Sequence, residues 1–380
     1  MTHAPASLDE ASALFRDLAA GGRTLCVTGD KTPGGPACVP VDETVSTRRL
    51  GEIVDYVPAD QIVTVQAGMT IGRLQATLRE HKQRLALDPP SPEHTTVGGN
   101  VAAASYGPLR TRYGTARDVI VGMTIVRVDG TIARGGGKVV KNVAGFDIPK
   151  LMVGTHGTLA MIGTVTFRLH PLPESSTELV FTGCDAAALR SLCTTMTQAQ
   201  LEPSAVYALY DGTGYACAVR LEGFPAGVAA QRTTLLRLAQ REPLEGATLE
   251  REHEAARTSG TVQVKITAAP SMLEALHSQS IVPLHAALTQ PRTVVYPSIA
   301  AAFVSGECDD VSGVLTALNA ARSWAESVGG TLVVEEAPPA IRVGFDPWGT
   351  PPPAFMLMRA LKERFDPERR LNPGGFVGGL

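Results

Sequence analysis

The chain has little that would let it act on a polyanion or a bilayer. Its formal net charge is −3 and its pI about 6.3, so it offers no broad positive field to a nucleic-acid backbone. Aromatic residues make up only 5% of it, too few for rows of base-stacking side chains. No apolar run reaches the roughly 20 residues that span a bilayer. Of the six cysteines (Cys26, Cys38, Cys184, Cys193, Cys217 and Cys308), no two form a C-x-x-C pair and none has a histidine at ligand spacing. An iron–sulfur cluster needs closely spaced thiolates, so no metal is expected in this chain. The opening residues, MTHAPASLDEASALFRDLAAGGR, mix acidic with apolar positions and lack the basic start and apolar block of a secretory signal. These absences predict a cytoplasmic protein with no nucleic-acid partner and no direct membrane insertion.

What is present is apolar periodicity, punctuated by glycine. With 380 residues the chain can build two or three domains, each with its own core. Residues 8–20 read as an amphipathic helix, with Ser7 as N-cap and Glu10 placed for a capping box. A short strand at 23–28 runs into Gly29-Asp30-Lys31-Thr32-Pro33-Gly34-Gly35-Pro36. That loop is neither a Walker A nor a Rossmann fingerprint. Its backbone amides suit an anion nest, although an ordinary surface loop is the simpler reading. Residues 62–67 form a strand pattern, and Thr70 caps a helix over 71–81 whose Ile71, Leu74 and Leu78 share one face.

The stretch 87–123 is the centre of the chain. In it, Thr95-Thr96-Val97-Gly98-Gly99-Asn100 leads into a run of small residues. A Gly-Gly pair admits close backbone approach. At a helix N-terminus, unpaired amides and the helix dipole favour a phosphate. A tight turn into a buried helix fits these residues equally well.

Downstream, 119–128 is a strand, Asp129-Gly130 a hairpin turn and 131–134 the return. Residues 161–170 alternate, with Val165, Phe167 and Leu169 on one side. Pro171-Leu172-Pro173 marks a domain boundary. From 174 to 350, strands (179–182, 205–209, 215–221, 262–266) alternate with helices (186–197, 226–240, 271–279, 311–327), which suggests an α+β cap. No nucleophile elbow or zinc motif occurs there. Lys265, Arg342, Asp346 and Trp348 are candidate substrate-side residues; a substrate carboxylate would need a cation, which arginine supplies bidentately, and a solvated surface position is the competing reading for Arg342. Finally, Ala354, Leu357, Met358, Leu361 and Phe365 share a helical face and predict a docking helix.

The Gly29–Pro36 loop, Thr96-Val97-Gly98-Gly99-Asn100, Arg112-Tyr113-Gly114 with Arg117-Asp118, the Asp129-Gly130 turn and Gly157-Thr158-Leu159 resemble the FAD-binding domain of the vanillyl-alcohol oxidase / p-cresol methylhydroxylase (PCMH-type) superfamily. Within it, residues 135–173, above all Lys141-Asn142-Val143-Ala144-Gly145-Phe146-Asp147, are similar to the E-subunit family of bacterial glycolate oxidases. Leu361 to Pro367 with Leu371-Asn372-Pro373-Gly374 is similar to the superfamily's closing motif. The resemblance implies an α+β fold: a PCMH-type FAD-binding domain of two subdomains (1–173), an α+β cap (174–350) and a helix and tail (351–380) returning to the FAD domain.

The resemblance also implies a site. Gly29, Asp30, Thr32 and Gly34 would form one diphosphate loop, and Thr96, Gly98, Gly99 and Asn100 the other. Pro90 and Ser105 would lie near the ribityl chain or ring. Tyr113, Gly114, Val121, Gly157 and Thr158, with Ile162 and Val165, would shape the adenine and flavin walls, and Asn372 would come near the ring. The first loop lacks the histidine that covalent members often carry, so non-covalent FAD is expected; His156 reads as structural.

The implied function is the FAD-binding subunit of a glycolate oxidase complex, oxidising the small 2-hydroxy acid glycolate to glyoxylate. It would work with a second flavoprotein subunit and an iron–sulfur subunit, and any membrane association would come through those partners. No catalytic base is evident. A stand-alone FAD-dependent 2-hydroxy-acid oxidoreductase and a flavin-free assembly subunit of the same fold are the alternatives.

Overall fold

The computed structural model describes residues 1–29, 40–137, 146–244 and 246–380. The chain divides into two compact units. The first comprises Met1–Gly107, Gly114–Leu172 and Pro351–Leu380; the second comprises Pro108–Tyr113 and Pro173–Thr350.

In the first unit, β1 (Thr2–His3), β2 (Leu25–Thr28) and β3 (Glu43–Ser46) form a parallel sheet in the order β1-β3-β2. Helix α1 (Leu8–Ala20) starts where its cap dictates. The Ser7 side chain accepts the Glu10 amide, while the Glu10 carboxylate takes the amide of Ala6, one residue before the cap. Two donors that the helix cannot satisfy internally are thereby paired. Ala11 and Phe15 of α1 pack with Leu25, Val45, Leu50 and Leu371.

The larger sheet of this unit contains β4 (Ile53–Val57), β5 (Ile62–Gln66), β7 (Ile120–Val126), β8 (Ile132–Gly136) and β9 (Met161–Arg168). All its pairs are antiparallel, in the order β4-β5-β9-β7-β8. The short β6 (Gln83–Arg84) pairs with β10 (His170–Pro171). The β7–β8 hairpin turns at Gly130, whose φ of +79° suits glycine. Alternation along β9 buries Val165 and Phe167 in the core and leaves Thr166 on the other face, hydrogen-bonded to Thr64. Helix α2 (Ile71–Glu80) is capped by Thr70 and buries Ile71, Leu74 and Leu78. Helix α3 (Val97–Ala103) follows.

The C-terminal helix, Phe355–Phe365, docks differently from the apolar face anticipated for it. Ala354 and Leu357 are exposed, Leu357 at 69%, while the buried positions are Lys362 and the following Asp366. Met358, Leu361 and Phe365 of the anticipated face are half-buried, Phe365 against the core, so the docking stripe keeps part of the apolar one and adds a buried salt bridge.

In the second unit a single antiparallel sheet contains β11 (Ser175–Cys184), β12 (Ala205–Tyr210), β13 (Tyr215–Gly223), β14 (Val262–Thr267), β15 (Thr289–Tyr296), β16 (Ala301–Glu307) and β17 (Thr331–Glu336). Their order is β11-β13-β12-β15-β16-β14-β17. Helices Ala186–Gln198, Pro225–Ala239 and Val311–Ser327 pack on one face and make one core with it. The helix anticipated over 271–279 is instead composite: a 3₁₀ turn, a short α segment, a π turn at His277–Ile281 and the helix Val282–Ala287. Pro283 has no amide to donate backward and its ring crowds the preceding turn, which the wider π turn relieves.

The other sheet face carries a buried polar network under helix Glu250–Thr258. Arg257 Nη1 donates to the Tyr296 hydroxyl at 2.8 Å, and that hydroxyl lies 2.7 Å from His253 Nε2. Burial, aided by Arg257 and Arg220, pushes the His253 pKa down to about 3. The ring is therefore neutral and accepts the phenol proton.

Candidate functional site

The glycine pair stands at the start of α3, where the sequence places it, but its amides are not free. Val97 N–H donates to the Met69 carbonyl at 2.8 Å and Gly98 N–H to the Ala67 carbonyl at 2.7 Å. Gly99 N–H donates to Thr96 Oγ1 at 3.1 Å and Asn100 N–H to the Thr96 carbonyl at 2.8 Å. The expected cradle of unpaired first-turn amides is therefore absent: the cap and the β5–α2 connection reach those donors first. The two glycines have different jobs. A Cβ on Gly98 would lie 2.8 Å from the Ala67 Cβ, so this glycine lets α3 press on the connection. A Cβ on Gly99 would meet only Thr96 Oγ1, at 3.0 Å, and that side is otherwise open.

Asn100 is the feature that calls for a ligand. It is 1% exposed, yet among the described residues neither Nδ2 nor Oδ1 has a hydrogen-bond partner. A buried amide left this way costs about 1–3 kcal/mol, and native structures rarely tolerate it without a bound group or water.

Several candidate residues gather around α3. Gly29, at the end of β2, comes so close that a Cβ would lie 2.3 Å from Thr96 Oγ1. Ser105 N–H donates to the Asn100 carbonyl at 3.1 Å. The 154–158 loop is tied to the same helix by Gly154 N–H to Val101 (3.0 Å) and His156 N–H to Ala102 (2.9 Å). Gly157, at φ +70°, faces Asn372, and Thr158 is buried with its hydroxyl on the Thr155 carbonyl. The His156 ring stacks on Phe376.

Other candidates lie elsewhere. Asp30, Thr32 and Gly34 are outside the described residues, as are 141–145 of the most specific segment. The Pro90 carbonyl accepts the Thr95 hydroxyl. Tyr113 ends the turn Arg110–Tyr113, which groups with the second unit. Gly114, at φ +77°, precedes the capped turn Ala116–Val119. Val121 is half-buried on β7, and Ile162 and Val165 are built into the hydrophobic core of the first unit.

The substrate-side candidates each have a local partner. Lys265 pairs with Glu335 at 3.4 Å, Arg342 Nε donates to the Ala337 carbonyl, and the Asp346 carboxylate accepts the Trp348 and Gly349 amides. None of the four lines the 310 Å³ pocket of the second unit, whose polar lining includes Thr111, Arg112, Glu202 and Ser298.

Sequence reasoning passed over Lys362 and Asp366. The lysine ammonium donates to the Thr158 carbonyl (2.7 Å), the Leu371 carbonyl (2.8 Å) and Asp366 Oδ2 (2.7 Å). Burial lowers the lysine pKa, and Asp366 opposes the shift. The available signal was a Lys/Asp pair four residues apart, a spacing usually read as a surface ion pair.

Residues 1–136 match the model of an FAD binding domain. Residues 1–136 thus carry an FAD binding domain. A solved structure of alkyldihydroxyacetonephosphate synthase matches the fold with a TM-score of 0.74 at 17% identity, covering 98% of this chain and 76% of that one. Glycolate oxidase subunit GlcE of Escherichia coli is 33% identical over 51% of this chain and 54% of its own length. D-lactate dehydrogenase of Archaeoglobus fulgidus is 33% identical over 46% of this chain and 40% of its own length. The chain thus spans about half the length of these curated relatives. Its relatives include a glycolate oxidase subunit and a D-lactate dehydrogenase. The FAD binding domain includes Gly29, Thr96 and Asn100, and the unpartnered amide of Asn100 fits a polar cofactor.

Proposed function

We propose that this chain is the FAD-binding subunit of a glycolate oxidase complex, which oxidises glycolate to glyoxylate and passes electrons to an iron–sulfur partner. The observation that carries the reading is the coincidence of an FAD binding domain with similarity to GlcE. The first unit holds non-covalent FAD, and residues 174–350 act as the cap. Within the first unit Asn100 supplies an amide donor and acceptor to the cofactor, and Gly99 lets it approach α3 beside Thr96. When bound, FAD supplies the hydride acceptor for a 2-hydroxy acid. The iron–sulfur centre is assigned to a partner chain, since this sequence offers no clustered thiolates to hold one.

The similarity to D-lactate dehydrogenase favours one second reading, a stand-alone 2-hydroxy-acid oxidoreductase. Copurification of the tagged chain from its source separates the two. The subunit reading expects flavin that acid precipitation releases, an iron–sulfur partner, and glycolate oxidation by the complex alone. Turnover of a hydroxy acid by the isolated chain with an artificial acceptor would support the second reading. Flavin remaining on the precipitated polypeptide would overturn the non-covalent assignment.

A further inference from the structure

We propose that Lys362, Asp366 and Asn372 form a C-terminal strap that fixes strand β2, which ends just before Gly29, against the 154–158 loop, making them positioning residues for the FAD site. The inference rests on the FAD-site reading above. It begins with the buried pair. Lys362 is 1% exposed and Asp366 0%, so both groups have been taken out of water at a cost that only complete hydrogen bonding offsets. That condition is met. All three ammonium donors are used, and the Asp366 carboxylate also accepts the amides of Leu371 (2.8 Å) and Arg370 (3.0 Å). Apolar residues could seat the helix equally well, but they could not grip the carbonyls of Thr158 and Leu371.

The pair holds the tail against β2. Leu25 N–H donates to the Arg370 carbonyl and Asn372 N–H to the Leu25 carbonyl, each at 2.8 Å, so Leu371 runs beside Leu25 as a parallel bridge. Asn372 then joins β2 to the 154–158 loop. Its Oδ1 accepts the amide of Val27 at 3.1 Å, two residues before Gly29. Its Nδ2 donates to the His156 carbonyl at 2.7 Å, immediately before Gly157. Gly157 has no room for a side chain here, since a Cβ would lie 2.8 Å from that Nδ2. Both ends of the Asn372 amide are thus consumed by the protein. The residue expected near the flavin ring therefore sets the distance between the end of β2 and the 154–158 loop.

The test titrates FAD itself into the purified full chain, followed by quenching of flavin fluorescence and by visible circular dichroism of the bound flavin. Asn372 sits at φ +44°, so Asn372→Gly keeps the backbone and removes only the strap. It is expected to weaken FAD binding by roughly ten-fold or more, equivalent to about 1.4 kcal/mol, and to change the flavin's visible dichroism while the apo-protein melts like wild type. Should that variant fail to fold, Asn372→Asp is read in its place: it keeps the Val27 bond, loses the donor to His156 and should show the same two changes. Wild-type affinity with an unchanged flavin spectrum in the variant would overturn the strap and leave the site assignment standing. A wild-type chain that takes up no FAD would remove the site and the strap together.

Discussion

At the scale of single residues, the account depends on side chains whose surroundings are incomplete or costly without a function. Asn100 is the first. Because its buried amide lacks partners, Asn100→Leu should leave the apo-protein as stable or up to about 1 kcal/mol more stable, while weakening FAD binding. Thermal melting of the apo-protein and FAD titration would show the two effects with opposite signs; a loss of both stability and affinity would mean a structural asparagine. His253 is the second. Its folded pKa is pushed down to about 3 from an ordinary value of 6.5. Below about pH 6.5 the unfolded chain takes up a proton that the folded chain refuses until about pH 3. Stability should therefore fall as pH drops through this window, at up to about 1.4 kcal/mol per pH unit. His253→Gln should flatten the slope in urea melts run across that range, and an unchanged slope would assign the acid sensitivity to other groups.

At the scale of elements, legibility follows the kind of signal each one carries. Helices α1 and α2 were readable because a cap residue and a 3.6-residue apolar period agree, and Ser7 and Thr70 do cap them. The hairpin at Gly130 was readable because one positive-φ glycine fixes the turn. The N-terminus of α3 was readable as a place but not as a state. A sequence shows the glycines, but not the Ala67 carbonyl and the Thr96 hydroxyl that occupy their amides. The C-terminal helix was read only in part for the same reason, since apolar period located Phe365 on the core but could not reveal a buried ion pair on the neighbouring stripe. That pair gives a test. Lys362→Met leaves Asp366 buried without its partner and should cost roughly 3–5 kcal/mol. Leu357→Ser, on the apolar face yet 69% exposed, should change stability by less than about 0.5 kcal/mol. Denaturant midpoints of the two variants decide the matter, and the opposite ranking would restore the apolar face as the docking surface.

At the scale of the whole molecule, the α+β class and the FAD binding domain were legible from local motifs, because loop chemistry and strand alternation are written in short stretches. The strand order of the second unit was not. Strands β14 and β17 are neighbours although more than sixty residues separate them, and such pairing is set by the core they share rather than by local sequence. The substrate was least legible of all. Arg342 and Lys265, chosen for their charge, each have a local partner, so charge alone does not mark a carboxylate site. Both the proposed reaction and the iron–sulfur partner therefore rest on the FAD binding domain and the similarity to GlcE. One measurement tests that claim most directly: the tagged chain is copurified with its native partners, and the flavin absorption is followed anaerobically as glycolate is added. The account predicts a yellow complex that contains iron–sulfur and bleaches with glycolate. A colourless chain that cannot be reconstituted with FAD would contradict it.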